Sequence, residues 1–81
     1  MIRIYGDSIS GNCLKVKWVA ERLGIDHEWV EIDIMKGDQF TEAFTAVNPN
    51  QKIPALVDGD RNVIESCAIL QYLGEKYPSP L

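Results

Sequence analysis

The chain has 81 residues, 46% of them hydrophobic and 25% charged, with a formal net charge of −4. That length holds one domain at most, and a chain of this size buries only about 60% of the surface it exposes when unfolded. Several classes are excluded: two cysteines are too few for a disulfide scaffold and no residues show paired metal-ligand spacing, no apolar run approaches the ~20 residues that cross a bilayer, and an acidic chain without a basic stripe does not track a phosphate backbone.

Residues 2–5, IRIY, alternate and are β-rich, which predicts a first strand. The amino terminus, MIRIY, carries no apolar signal core and no cleavage site, so an intracellular, reducing compartment, the cytoplasm, is expected. GDSISGN reads as a loop. From Asn12 the period becomes helical: Cys13, Val16, Ala20 and Leu23 share a face, and Gly24 stops the helix. HEWVEIDI, residues 27–34, predicts a second strand, parallel to the first because a helix joins them. A short helix is expected over residues 39–46, ended by Asn48-Pro49. IPALVD is a third strand, DGDRN a turn, and NVI a short fourth strand antiparallel to the third. Ser66 is expected to cap a last helix that turns Ile69, Leu70 and Leu73 inward and runs to about Tyr77. YPSPL reads as the start of a linker.

The order βαβ–α–ββα, with a proline opening the third strand, resembles the thioredoxin-like fold, an α/β (α+β) class with a four-stranded mixed sheet and three helices. The motifs LGI, NPNQKIPALVD and ESCAILQYLGEKYP, in this order and spacing, resemble the amino-terminal domain of cytosolic glutathione transferases. SGNCLKVK is most similar to bacterial members and to the serine-type theta and zeta classes. The resemblance covers essentially the whole chain. It implies a glutathione-binding domain over residues 1–77, with 78–81 beginning a linker to a helical domain that carries most of the electrophile pocket. It also implies a homodimer, a small electrophilic substrate, glutathione as co-substrate, no metal, and a role in detoxification.

The same resemblance assigns roles residue by residue. The Ile53-Pro54 bond is expected to be cis, leaving the Ile53 N–H and C=O to pair with the cysteinyl backbone of glutathione as an added strand would. Ser66, at a helix amino terminus, is expected to hold the γ-glutamyl carboxylate, with Glu65 near the ammonium. Lys52, and with less support Gln51 and Lys36, are candidates for the remaining contacts, because an acidic domain needs local cations to capture an anion. Counting back six residues from Val16, as the serine classes require, gives Ser10 as the residue that donates to the glutathione sulfur. Asn12 is expected to help orient that sulfur. Tyr5, at the end of the first strand, is the alternative donor by analogy with the tyrosine classes.

Read without the resemblance, Ser66 is an N-cap, Pro54 a strand-opening proline, Ser10 a turn residue, and the two lysines are solvated. His27 reads as a surface histidine. No Ser/His/Asp set and no phosphate-binding glycine loop is present. Cys13 stands where thioredoxin-like oxidoreductases keep a resolving cysteine, but Ser10 occupies the attacking position and the helical period buries Cys13. Cys67 reads as packing in the last helix. Two other functions remain open at this point: a glutathione- or protein-binding module without turnover, and a glutaredoxin-like thiol-disulfide oxidoreductase acting through Cys13.

Overall fold

A computed structural model describes residues 2–76. The expected helix end near Tyr77 and the linker at 78–81 lie outside them. Strand β1 (Ile2–Gly6) leads to helix α1 (Gly11–Arg22) and then strand β2 (His27–Glu31). Two 3-10 turns, Ile34–Lys36 and Asp38–Phe40, precede helix α2 (Glu42–Val47). Strands β3 (Ala55–Asp58) and β4 (Arg61–Ile64) form a hairpin, and helix α3 (Ser66–Lys76) follows.

The sheet order is β2-β1-β3-β4. β1 runs parallel to β2, from Ile2↔His27 to Gly6↔Glu31, and antiparallel to β3, which is antiparallel to β4. This is the expected thioredoxin-like topology. Strand alternation divides the apolar residues between two faces. Ile2, Ile4 and Leu56 pack with Val16 and Ala20 of α1 and Ile69 and Leu73 of α3. On the other face Ile32, Phe44 of α2 and Ala55 form a smaller cluster, with Tyr5, Val30, Ile53 and Ile64 against it.

Helix α1 ends as its sequence predicts. Gly24 takes φ 67°, its N–H reaches the Glu21 carbonyl at 3.1 Å, and the Ile25 N–H reaches Ala20 at 3.0 Å. That paired closure is a Schellman motif, with Ile25 buried behind it.

The structure corrects five boundaries. β3 starts at Ala55 rather than residue 53, because Pro54 has no N–H to give to a ladder. β2 stops at Glu31 rather than residue 34, because the Asp33 carboxylate accepts the Met35 and Lys36 N–H groups at 3.0 and 3.3 Å and turns the chain. α2 starts at Glu42, where Thr41 Oγ1 caps the Phe44 N–H at 3.2 Å. β4 starts at Arg61, because Gly59 at φ 64° makes the turn early enough for Arg61 to pair with Asp58. Ser66 does not precede α3 but is its first residue; Glu65 stands in the capping position, with its carbonyl accepting the Ile69 N–H at 3.0 Å. Cys67, expected to pack, is exposed, because in the first turn of α3 it points away from the face carrying Ile69 and Leu73. Cys13 is fully buried as its period required.

Candidate functional site

Three chain segments meet at a cavity of about 420 Å³. Asn12 comes from the first turn of α1, Lys52, Ile53 and Pro54 from the segment entering β3, and Glu65 and Ser66 from the start of α3. The cavity thus gathers six residues singled out in the sequence. The Ile53-Pro54 bond is cis, and Pro54 is buried.

The electrostatics favour an anion. Both α1 and α3 present their amino-terminal ends here, and neither has an acidic residue in its first turn. The first turn of a helix leaves N–H groups without intrahelical partners and carries a partial positive charge. Lys52 adds a cation on the wall. Glu65 supplies the one carboxylate of the wall, suited to an ammonium.

The wall also holds three residues to which sequence reasoning gave no role: Asn48, Asn50 and Ile64. Asn48 is 1% exposed. Its Nδ2 donates to the Lys52 carbonyl at 2.8 Å, and its Oδ1 accepts the Asn50 N–H at 3.0 Å. One buried amide therefore shapes the loop that carries Lys52 into the site. The Asn48-Pro49 pair was visible as a helix stop and as the opening of the family motif, but neither reading gave the Asn48 side chain a role.

Among the described residues, two that are not glycine have positive φ, Gln51 at 58° and Glu65 at 74°. Both belong to the loops that build this cavity. Side chains in the left-handed region cost on the order of 1 kcal/mol and persist where the surroundings over-determine them, a pattern that concentrates at binding sites.

The other expected residues stand outside the wall. Ser10 is the N-cap residue of α1, two positions before Asn12, with φ −89° and ψ 126°. Its hydroxyl makes no capping bond to the helix. Tyr5 is turned to the α2 face, its ring 5.8 Å from that of Phe44. Gln51 folds back so that its amide donates to Thr45 Oγ1 at 3.2 Å. Lys36 is exposed in the first 3-10 turn. His27 is half-buried, with Nδ1 2.8 Å from the Ile25 carbonyl.

The loop before α1 is held from two sides. Asp7, 3% exposed, accepts the Ile9 N–H at 2.9 Å and the Ile34 N–H at 3.1 Å. Glu31, at the end of β2, accepts both the N–H and the hydroxyl of Ser8, at 2.9 and 3.0 Å, and the Trp29 indole N–H at 2.9 Å. The Ser8 N–H, then the Trp29 indole, hold the Glu31 carboxyl below the ordinary carboxylate range. Close packing completes this end of the sheet: a Cβ on Gly6 would stand 2.8 Å from Trp29 and 3.0 Å from the Cβ of Cys13. Cys13, which this packing encloses, is fully buried and not in a disulfide.

Among the described residues no group of three or more His, Cys, Asp or Glu is placed to hold a metal ion. No described helix is long and apolar enough to cross a membrane.

Comparison with known proteins agrees with this geometry. Residues 4–81 match the family of the glutathione S-transferase amino-terminal domain. The chain is 39% identical over 79 residues to glutathione S-transferase Z1 of Arabidopsis thaliana, covering 98% of this chain and 36% of that protein. It is 43% identical over 79 residues to glutathione S-transferase theta-3 of Mus musculus, covering 98% of this chain and 33% of that protein. Its fold superposes on apo human glutathione-S-transferase T1-1 with a TM-score of 0.94 and 41% identity, over 99% of this chain and 34% of that one. A glutathione transferase homolog from Drosophila mojavensis, solved with bound glutathione, superposes with a TM-score of 0.90 and 32% identity, over 94% of this chain and 35% of that one. The chain spans about a third of the length of these relatives. With a family match over nearly all of its residues, relatives of the theta and zeta classes, and the sheet order and three helices described above, the chain belongs to the glutathione transferase family as an amino-terminal, thioredoxin-like domain.

Proposed function

We propose that this domain binds glutathione in the cavity between the starts of α1 and α3 and favours the thiolate form of its sulfur. The observation that carries the reading is the meeting of two helix amino termini, Lys52 and the Ile53 segment at one cavity of about 420 Å³. Glutathione is a net anion with a carboxylate and an ammonium on its γ-glutamyl end. The carboxylate suits the first turn of α3 at Ser66, and the ammonium suits Glu65. The Ile53 backbone pairs with the cysteinyl residue, in the manner of an added strand. A relative solved with bound glutathione supports the choice of ligand.

Ser10 acts on the sulfur. Its hydroxyl is not used by the helix that it precedes, so it is available as a donor, and Asn12 orients the sulfur from the cavity wall. A free thiol near pKa ~8.5 is mostly protonated at neutral pH, and lowering it by ~2 units takes ~2.7 kcal/mol of differential stabilisation. A hydrogen bond to the anion together with a helix terminus supplies energy of that order. Lys36 and Gln51 are the candidates for the remaining contacts; the Gln51 amide, which donates to Thr45 Oγ1 at 3.2 Å, turns from that partner to do so.

In the full reaction the thiolate attacks a small electrophile, with the family's helical domain supplying most of the electrophile pocket beyond a boundary near residue 77. The relatives' enzyme names support a transferase; a homodimer in the cytoplasm completes the proposal. Thermal denaturation with glutathione tests the binding step. At one hundred times its dissociation constant a ligand of the folded state adds about 2.7 kcal/mol, which raises the melting temperature by on the order of 10 °C. A melting temperature unchanged by millimolar glutathione overturns the reading.

A further inference from the structure

We propose that Asp7 and Glu31, two carboxylates outside the cavity wall, are positioning residues that set where the Ser10 hydroxyl stands. The proposal rests on the reading of Ser10 as donor to the glutathione sulfur.

Residues 7–10 join Gly6, the last residue of β1, to Gly11, the first of α1. Three consecutive N–H groups of this loop are bonded, and each bond ends on Asp7 or Glu31. The Ser8 N–H reaches Glu31 Oε2 at 2.9 Å. The Ile9 N–H reaches Asp7 Oδ1 at 2.9 Å. The Ser10 N–H reaches the Asp7 carbonyl at 3.0 Å. Both carboxylates are themselves anchored. Asp7 Oδ2 accepts the Ile34 N–H at 3.1 Å, beyond the end of β2. Glu31 pairs with Gly6 in the sheet and accepts the Trp29 indole at 2.9 Å.

The loop is therefore tied inside and outside to the adjacent strand, and Ser10 leaves it with a hydroxyl that caps nothing. Burial of Asp7 at 3% exposure fits this role. A buried carboxylate is retained where its oxygens are filled by donors. Positioning of this kind matters because a hydrogen bond to a resident anion depends on placement to within an ångström or less.

Charge and position predict opposite results, and this makes the proposal testable. Neutralising a nearby carboxylate removes a like charge and lowers a thiol pKa. Loosening the loop weakens the Ser10 bond to the thiolate and raises it. The experiment is ultraviolet titration of bound glutathione thiolate across pH in the wild-type chain and in Ser10→Ala, Asp7→Asn, Glu31→Gln and the double variant Asp7→Asn/Ser10→Ala. Affinity and melting temperature are measured alongside. Asp7→Asn and Glu31→Gln are expected to raise the thiol pKa by up to about one unit, tenfold in the thiolate-to-thiol ratio, with little loss of affinity. Because the carboxylates act through Ser10, Asp7→Asn should add nothing in the Ser10→Ala background.

A pKa unchanged in both carboxylate variants, a fall, or a full additional rise in the double variant each overturns the proposal. If Asp7→Asn does not fold, Glu31→Gln decides alone, since Glu31 is exposed. If Ser10→Ala itself leaves the pKa unchanged, the reading of Ser10 fails and the proposal falls with it. A rise in Ser10→Ala with none in the carboxylate variants refutes the positioning role only.

Discussion

Gly6→Ala is expected to destabilise the domain although alanine suits a strand better than glycine. Gly6 does not have positive φ, so the substitution brings no backbone strain, and restricting the unfolded chain favours alanine by about 0.4–1 kcal/mol. Space decides the sign. The new Cβ would stand 2.8 Å from Trp29 Cη2, 3.0 Å from Cys13 Cβ and 3.1 Å from Cys13 Sγ. The Trp29 ring is half-buried and held at its indole by Glu31, so it yields only by breaking that bond. Cys13 is fully buried in α1 and does not yield without moving the helix. Overpacking of this kind costs about 1–3 kcal/mol, leaving a net loss of about 1–2 kcal/mol after the unfolded-state gain. For a chain whose whole stability is on the order of 4–12 kcal/mol, the melting temperature should fall by roughly 5–15 °C. Circular dichroism thermal denaturation measures it. Cys13→Ala removes the sulfur but keeps the Cβ, so the double variant should recover part of the loss, giving a non-additive cycle. A Gly6→Ala melting temperature equal to or above that of the wild type, or strict additivity with Cys13→Ala, would refute the reasoning.

Asn48→Ala leaves the Asn50 N–H and the Lys52 carbonyl without their partner; urea denaturation should show a loss of about 1–2 kcal/mol, and titration a weaker affinity for glutathione. Asp58 is held below the ordinary carboxylate range by the Lys76 ammonium and then by the Tyr72 hydroxyl, which donates to it at 2.6 Å. The ionised form of Asp58 therefore contributes stability above the unfolded carboxylate value of about 3.9, and that contribution is lost as pH falls through the lower folded value. Asp58→Asn should be less stable than the wild type at pH 7 and should lose less on acidification to pH 3, as read from melting temperatures at the two values. Ser10→Ala should raise the pKa of bound glutathione, read by ultraviolet titration, with little loss of affinity, and conjugation, assayed with a helical domain restored, should fall by about one to two orders of magnitude, as removal of one donor to an anion does; Cys13→Ala should leave both nearly unchanged.

The elements that were legible in the sequence are those whose signal is local. Alternation in IRIY, the helical period from Cys13 to Ala20 and Gly24 after it specify β1, α1 and its end, because each depends on neighbours within a turn or a pleat. The cavity was legible in part, since Ile53-Pro54 and Glu65-Ser66 are contiguous pairs that the family resemblance picks out. The misses are long-range or side-chain-to-backbone effects. Asp7 in a polar loop reads as solvated; its burial depends on an N–H at Ile34, 27 positions later. The role of Asn48 lies in bonds to Asn50 and Lys52 that leave no periodic trace. The end of β2 was overrun because IDI continues the alternation, while the Asp33 side chain captures the next N–H groups. Left-handed Gln51 and Glu65 were unreadable, as neither is glycine or asparagine.

Glutathione titration followed by amide chemical shifts of the whole chain tests the central claim most directly. The account predicts saturable shifts confined to the cavity and its helix termini, above all at Asn12, Lys52, Ile53 and Ser66, with the Ser10 amide moving as the thiol ionises. Amides of Trp18 on the exposed side of α1, and of Asp60 at the hairpin turn, should stay in place. The absence of saturable shifts at Ile53 and Ser66, or shifts clustered instead around Tyr72 and Lys76, would contradict it.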